Sequence, residues 1–273
     1  AQTQLLSARR TMFVPIGVVA QAAGVAAYPF LARLFAEGKH REMADTVDRT
    51  LRWVLALSIL AAGAIASLTV PTIRTLFERN AFQPDDTAAA ASALFFYALA
   101  IPIWGGLQVL NRAFYARAQM WTPVVVGTLA TVAAVPTYWL LQRNFGLEGV
   151  ATASALSLGV YTVALAVLWY RDGPNRGRVW GVAEGAGRAL PLAVLGGSAA
   201  WISAEALQSW LGGGFLASLT TLVASTVVYF VVAAAAAVGL YELTNRGSRH
   251  KTDPVAARAA SEAPQEPADA ESD

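Results

Sequence analysis

The stretch Val54–Ile73 reads VLALSILAAGAIASLTVPTI and contains no acidic or basic side chain. The hydrocarbon core of a bilayer is ~30 Å thick, so a helix needs about 20 mostly apolar residues to cross it. Several other stretches of the chain are similarly long and apolar, and the core of one soluble domain could not bury them all. The sequence therefore predicts an all-α, polytopic membrane helix bundle.

The overall composition supports the same class. Of the 273 residues, 56% are hydrophobic and 14% are charged, whereas an ordinary soluble domain is ~25% charged. The absence of cysteine excludes disulfides, thiolate nucleophiles and cysteine metal sites. His40 and His250 lie far apart in polar segments and are interpreted as isolated, solvated side chains. The net charge of +2 is too small to argue for nucleic acid, and we expect no cofactor.

Apolar runs separated by polar residues predict seven transmembrane helices within residues 1–244. The third helix starts after Pro84-Asp85-Asp86, where an aspartate can cap the first turn, and Gly212-Gly213-Gly214 separates the last two helices. The predicted spans are 11–34, 51–76, 87–110, 122–142, 149–170, 189–211 and 215–243. Residues 245–273 carry almost no large apolar side chain, so they are predicted to form a disordered tail.

Two polar segments next to predicted spans leave two interpretations open. The segment 37–52 mixes charges with Met43 and Val47 at helical spacing, and Val179–Arg188 is short and amphipathic. Helices that lie in the membrane interface would explain both segments. Plain solvated loops would explain them equally well.

The basic residues predict the orientation. Of the 20 lysines and arginines, fifteen fall on one side of the predicted spans and three on the other, with Arg9 and Arg10 left near the amino end. Short cytoplasmic loops carry the excess of basic residues, so the C-terminus is predicted to be cytoplasmic. The fifteen are Arg33, Lys39, Arg41, Arg49, Arg52, Arg112, Arg117, Arg171, Arg176, Arg178, Arg188, Arg246, Arg249, Lys251 and Arg258. The first helix then starts outside and no signal peptide precedes it, so we expect the chain to be a piece of a larger protein.

Catalytic motifs are missing from the sequence. It contains no Gly-x-Ser-x-Gly, P-loop, His-Glu-x-x-His or dinucleotide fingerprint, and it shows no paired carboxylates. The pairs Gly105-Gly106 and Gly196-Gly197 lie inside predicted helices, where they favour close helix packing. We therefore predict that the protein is not an enzyme.

Ionisable residues in apolar segments usually mark function, because their burial is expensive. For Arg52 and Glu205 an interfacial position is favoured. Arg10 has no acidic partner in its turn and lies five residues before Pro15. A cation that faces a central cavity would suit an anionic ligand, because a guanidinium pairs with phosphate in bidentate fashion. Spacing alone leaves a ligand-binding and a structural role for Arg10 equally open.

Three motifs, in this order along the chain, resemble the MurJ/MviN family of lipid II flippases, within the superfamily of multidrug and oligosaccharidyl-lipid exporters. They are ARRTMFVPIG at 8–17 with YPFL at 28–31, LFERNAF at 76–82 followed by Asp86-Thr87, and RAFYAR at 112–117 followed by Thr122-Pro123. The resemblance covers 8–243. It implies that the seven predicted helices are helices eight to fourteen of fourteen, and that an N-terminal lobe is missing from this chain.

The resemblance also implies a function. Members of the family move the undecaprenyl-pyrophosphate-linked peptidoglycan precursor from the inner to the outer leaflet of the bacterial plasma membrane, by alternating access between two lobes. Arginines of a cationic cavity are thought to hold the pyrophosphate, and Arg10 matches one of them by its offset from Pro15. The implied partners are this glycolipid, membrane lipids and the missing lobe.

This sequence departs from the family pattern in two places that matter here. A glutamate that some members carry one turn after the arginine is Phe13, and the Asn/Asp pair that binds sodium in some relatives has no match near Ala134 and Tyr138. Sodium coupling is therefore not supported. Two alternatives stay open: an exporter of another polyprenyl-linked glycan, and a non-transporting membrane scaffold of cell-wall synthesis.

Overall fold

The computed structural model describes residues 22–77, 84–171, 179–212 and 214–251, and within these ranges the chain forms helices joined by short turns. The predicted all-α class is confirmed. One helical stretch, Trp121–Arg171, is broken at Gly146 and counts here as two helices. The helices are α1 (Ala22–Ala36), α2 (His40–Ser67), α3 (Thr69–Phe77), α4 (Pro84–Leu99), α5 (Ile101–Ala116), α6 (Trp121–Gly146), α7 (Glu148–Arg171), α8 (Val179–Leu211) and α9 (Phe215–Lys251).

Five of the described helices are long and apolar enough to cross a membrane, namely α2, α6, α7, α8 and α9 as far as Leu240. Thr87–Leu99 and Ile101–Ala116 form a sixth span if they count as one helix bent by 41°. The first predicted span, 11–34, lies partly outside the described residues. The chain divides into two compact units, Ala1–Ala233 and Ala234–Asp273. The first unit contains α1 to α8 and the start of α9.

The polar segment 37–52 is neither a separate interfacial helix nor a loop. α2 begins at His40 and runs without a break through the apolar span to Ser67. Met43 and Val47 are 1% and 0% exposed and belong to the main hydrophobic core. Their helical spacing is thus the packing face of a long helix. α8 likewise begins at Val179, before the predicted span at 189, and buries Val182.

The second unit contains the last turns of α9, which stay helical to Lys251. Extending an existing helix is cheap compared with nucleating one. Residues 252–273 lie outside the described residues, so the disordered tail stays a prediction.

Glycine and proline account for three of the breaks between consecutive helices. Gly146 has φ 55° and ψ −123°, a conformation that residues with a Cβ avoid. Pro102 lies shortly after the helix break at Ala100, and Pro71 lies shortly after the helix break at Leu68. Proline lacks the amide proton that a helix needs and its ring clashes with the carbonyl four residues earlier. These three breaks separate α6 from α7, α4 from α5, and α2 from α3.

The α1–α2 turn carries an exposed ion-pair cluster. The Glu37 carboxylate lies 2.8 Å from Lys39 Nζ and 2.7 Å from Arg33 Nε. Hydrogen bonds from Lys39 and then Arg33 lower the pKa of Glu37 to about 2. The ion pairs of Glu37 thus stabilise the folded protein above the ordinary carboxylate pKa, and this contribution is lost as pH falls towards about 2. Solvent screening keeps such exposed pairs weak.

Candidate functional site

Arg10, the residue that the sequence marks for substrate binding, lies outside the described residues. Its role therefore stays a prediction. Among the described helices, the polar cavity between α4, α5, α6 and α7 is the feature with the chemistry of a binding site.

This cavity, called the hydroxyl cavity below, has a volume of about 260 Å³. Seven of its twelve lining residues carry a polar side-chain atom, and none is acidic or basic. The other five are alanine, glycine and leucine. The seven polar residues are Tyr97, Trp104, Thr131, Tyr138, Ser154, Ser157 and Tyr161.

Two tyrosines join the walls of the hydroxyl cavity. The Tyr138 hydroxyl on α6 donates to Ser154 Oγ on α7 at 2.9 Å. The Tyr161 hydroxyl on α7 donates to the Pro123 carbonyl on α6 at 3.0 Å and lies 3.2 Å from Asn111 Oδ1 on α5. These contacts hold α6, which is otherwise little buried, against α7.

Gly127 makes room for one of these rings. A Cβ atom at position 127 would lie 3.1 Å from Tyr161 Cζ and 3.2 Å from its hydroxyl oxygen. Both distances are tighter than ordinary van der Waals contact. The glycine therefore allows the Tyr161 ring to approach the α6 backbone.

Ala134 and Tyr138, near which the resemblance implies a sodium-binding Asn/Asp pair in some relatives, carry neutral side chains. Ala134 is buried at 5% exposure and provides no oxygen ligand from its side chain. Tyr138 provides a hydroxyl that is engaged with Ser154. The described residues contain no group of three His, Cys, Asp or Glu side chains arranged for a metal. These donors do not fit a sodium site, because the pair that would supply its charge is absent from these positions.

The RAFYAR motif at 112–117 lies where α5 ends. This end of α5 is on the side that carries the fifteen basic residues, called the arginine-rich end below. The Arg117 guanidinium carbon lies 4.0 Å from the centroid of the Trp169 ring, and Phe114 meets the same ring edge-on at 5.6 Å. Beside them, the Tyr170 hydroxyl donates to the carboxylate of Asp48 at 2.9 Å. Asp48 is 3% exposed. The motif and its neighbours thus join the ends of α2, α5 and α7, which is a structural role.

The sequence predicts Arg10 as a site residue and Tyr138 only as a departure from the family pattern, so it does not predict the hydroxyl cavity. The lining runs from Tyr97 to Tyr161, and no short motif connects residues so far apart. One signal in the sequence points to the hydroxyl cavity: serine, threonine and tyrosine recur on helices that are otherwise strongly apolar.

Known proteins similar to this chain share one description. The family model "Lipid II flippase MurJ" matches residues 1–221. A probable lipid II flippase MurJ of Rhizobium tropici is 32% identical over 166 residues, which cover 61% of this chain and 31% of that protein. The corresponding protein of Rhizobium meliloti (strain 1021) is 30% identical over 185 residues, covering 66% of this chain and 35% of that protein.

A solved structure shows the same fold. The lipid II flippase MurJ in an inward closed conformation superimposes with a TM-score of 0.68 at 17% sequence identity, covering 88% of this chain and 48% of that one. The chain therefore spans about a third of the length of the two Rhizobium relatives and about half of the solved structure.

Proposed function

This chain belongs to the lipid II flippase MurJ family, and from that membership we propose that it is part of a transporter of the lipid-linked peptidoglycan precursor. The observation that carries the proposal is the family match over residues 1–221, which includes all three motif stretches and Arg10. The family is one of transporters and not of catalysts. The chain is a multi-pass membrane protein, and its proposed place is the bacterial inner membrane.

The proposed mechanism is alternating access between this lobe and an N-terminal lobe that is not part of this chain. A two-lobed transporter exposes a central site to one face of the membrane at a time. In such a site, Arg10 would hold the pyrophosphate while the lipid tail stays in the bilayer. Its role is electrostatic, because a guanidinium is always charged and binds phosphate with paired hydrogen bonds.

The proposed topology places residues 1–244 in the transmembrane bundle and the C-terminal tail in the cytoplasm. The fifteen basic residues on one side against three on the other support it. The arginine-rich end, with Arg117 and Asp48, is then the inner end of the bundle.

Complementation tests the proposed function. The gene in its natural context is expressed in cells depleted of their own lipid II flippase, and growth and outer-leaflet appearance of the precursor are measured. We expect rescue by the natural sequence and at least a tenfold loss of transport for Arg10→Ala, since losing one charge-assisted pair costs about 1.5–3 kcal/mol. Arg9→Ala, next to it, is the matched control and should retain transport.

The outcomes separate the alternatives. Full rescue by Arg10→Ala at normal protein level would remove Arg10 from the substrate site. Failure of the natural sequence to rescue, with the protein present in the membrane, would favour the scaffold. Rescue together with inhibition of transport by headgroups of another polyprenyl-linked glycan would favour the second exporter.

A further inference from the structure

Four of the seven polar side chains of the hydroxyl cavity act as hydrogen-bond acceptors towards a ligand, whereas the indole N–H of Trp104 can only donate. The Thr131 hydroxyl donates to the Gly127 carbonyl at 2.8 Å, and the Ser154 hydroxyl donates to the Val150 carbonyl at 2.9 Å. Tyr138 and Tyr161 donate to the protein oxygens described above. Each of these four hydroxyls has thus committed its one proton and can still accept from a ligand, although Ser154 Oγ already accepts from Tyr138. A group that brings its own N–H or O–H donors would satisfy them.

Charge narrows the class of ligand further. A pyrophosphate offers acceptor oxygens and negative charge, so these lone pairs would repel it. A bare cation would enter an intramembrane space that has no acidic side chain in its lining, and an uncompensated charge at that depth is costly. The ligand is therefore a neutral one with several donors.

The volume and the aromatic lining of the hydroxyl cavity favour a ring-shaped ligand. Tyr97, Trp104, Tyr138 and Tyr161 contribute aromatic side chains to the lining, and aromatic rings can pack against the apolar C–H surface of a sugar while its hydroxyls bind polar groups. The volume of about 260 Å³ lies just below the range of ~300–1,000 Å³ typical of pockets for larger ligands. It suits one sugar ring.

Two other cavities among the described helices differ from the hydroxyl cavity in chemistry. The groove between α2, α4, α5 and α8 is lined almost wholly by apolar side chains such as Ile59, Phe95 and Val194. A second groove between α4, α5 and α7 is similarly apolar. The seven polar side chains of its lining therefore distinguish the hydroxyl cavity from these two apolar grooves, which lipid tails can cover.

We propose that the hydroxyl cavity binds one neutral sugar ring of the glycan carried by the transported lipid, through hydrogen bonds donated by the sugar to Thr131, Tyr138 and Ser154. This inference rests on the proposed function, because it assigns a part of that substrate to a place in this lobe. It separates recognition of the glycan, in the hydroxyl cavity, from recognition of the pyrophosphate by arginine.

The experiment uses the natural lack of cysteine. The full chain with Ala130→Cys, in the cavity wall, is reconstituted in nanodiscs and alkylated with iodoacetamide, a small neutral reagent. Leu129→Cys is the matched control, because Leu129 is the preceding residue on α6 and is 64% exposed on the outer surface of the bundle. The probe is N-acetylglucosamine, compared with sodium chloride, choline chloride and inorganic pyrophosphate at equal osmolarity.

We expect N-acetylglucosamine to slow alkylation of the Ala130→Cys variant severalfold and to leave the Leu129→Cys variant unchanged, with none of the three salts protecting the cavity thiol. Tyr138→Phe should weaken this protection, whereas Tyr170→Phe, outside the cavity, should preserve it. Protection by sodium chloride but not choline chloride would show a cation site and overturn the proposal. It is also overturned if the cavity thiol reacts no faster than the control thiol without sugar, or if the sugar does not protect.

The sugar site and the proposed function can fail separately. Protection of the cavity thiol without complementation of flippase-depleted cells would keep the sugar site and refute the transport of the peptidoglycan precursor. Complementation without protection would keep the transporter and refute the sugar site.

Discussion

At the residue scale, glycines set how closely α8 and α9 approach. A Cβ at Gly196 on α8 would lie 3.0 Å from the Tyr229 carbonyl oxygen on α9 and 3.1 Å from its ring. Tyr229 is fully buried and donates to the Leu60 carbonyl on α2 at 2.7 Å, so it cannot easily retreat. We expect Gly196→Ala to destabilise the protein by about 1–3 kcal/mol through overpacking, measured as a lower Tm in detergent.

Gly187→Ala is the control on the same helix, because a Cβ there meets no atom within 4 Å. Alanine is preferred over glycine in helix interiors by up to ~1 kcal/mol, so this change should leave Tm equal or higher. Equal losses of Tm for both variants would mean that the α8–α9 contact is not as close as described.

At the element scale, the bundle ends are joined by polar contacts between distant helices. Tyr170 on α7 donates to the buried carboxylate of Asp48 on α2 at 2.9 Å. We expect Tyr170→Phe to cost about 1–3 kcal/mol of stability, because a buried hydrogen bond to an acidic side chain is lost. In a double-mutant cycle with Asp48→Ala, the two losses should sum to more than the loss of the double variant. Additive losses would show that the two side chains do not interact.

The same scale shows what sequence can predict. The break between α6 and α7 follows from a polar gap with Gly146, and apolar runs of sufficient length predict the spans themselves. The sequence does not decide the polar start of α2, because apolar residues at the spacing of Met43 and Val47 occur both on helices that lie on a membrane and on helices that pack on a neighbour. The sequence does not predict the hydroxyl cavity, because its tyrosines lie on α4, α6 and α7 and come together only when four helices pack. Arg10 stays a prediction from family resemblance.

At the scale of the whole molecule, charge asymmetry predicts which end of the bundle faces the cytoplasm. Gln119, in the turn between α5 and α6, and Asn144, near the end of α6, lie at opposite ends of one membrane span. The basic-residue bias places Gln119 inside and Asn144 outside. Since the chain has no cysteine, Gln119→Cys and Asn144→Cys each introduce a single thiol. A membrane-impermeant maleimide should label the Asn144→Cys variant in intact cells, and the Gln119→Cys variant only after permeabilisation. The reverse pattern would invert the proposed topology, and with it the assignment of the Asp48–Tyr170 contact to the inner end.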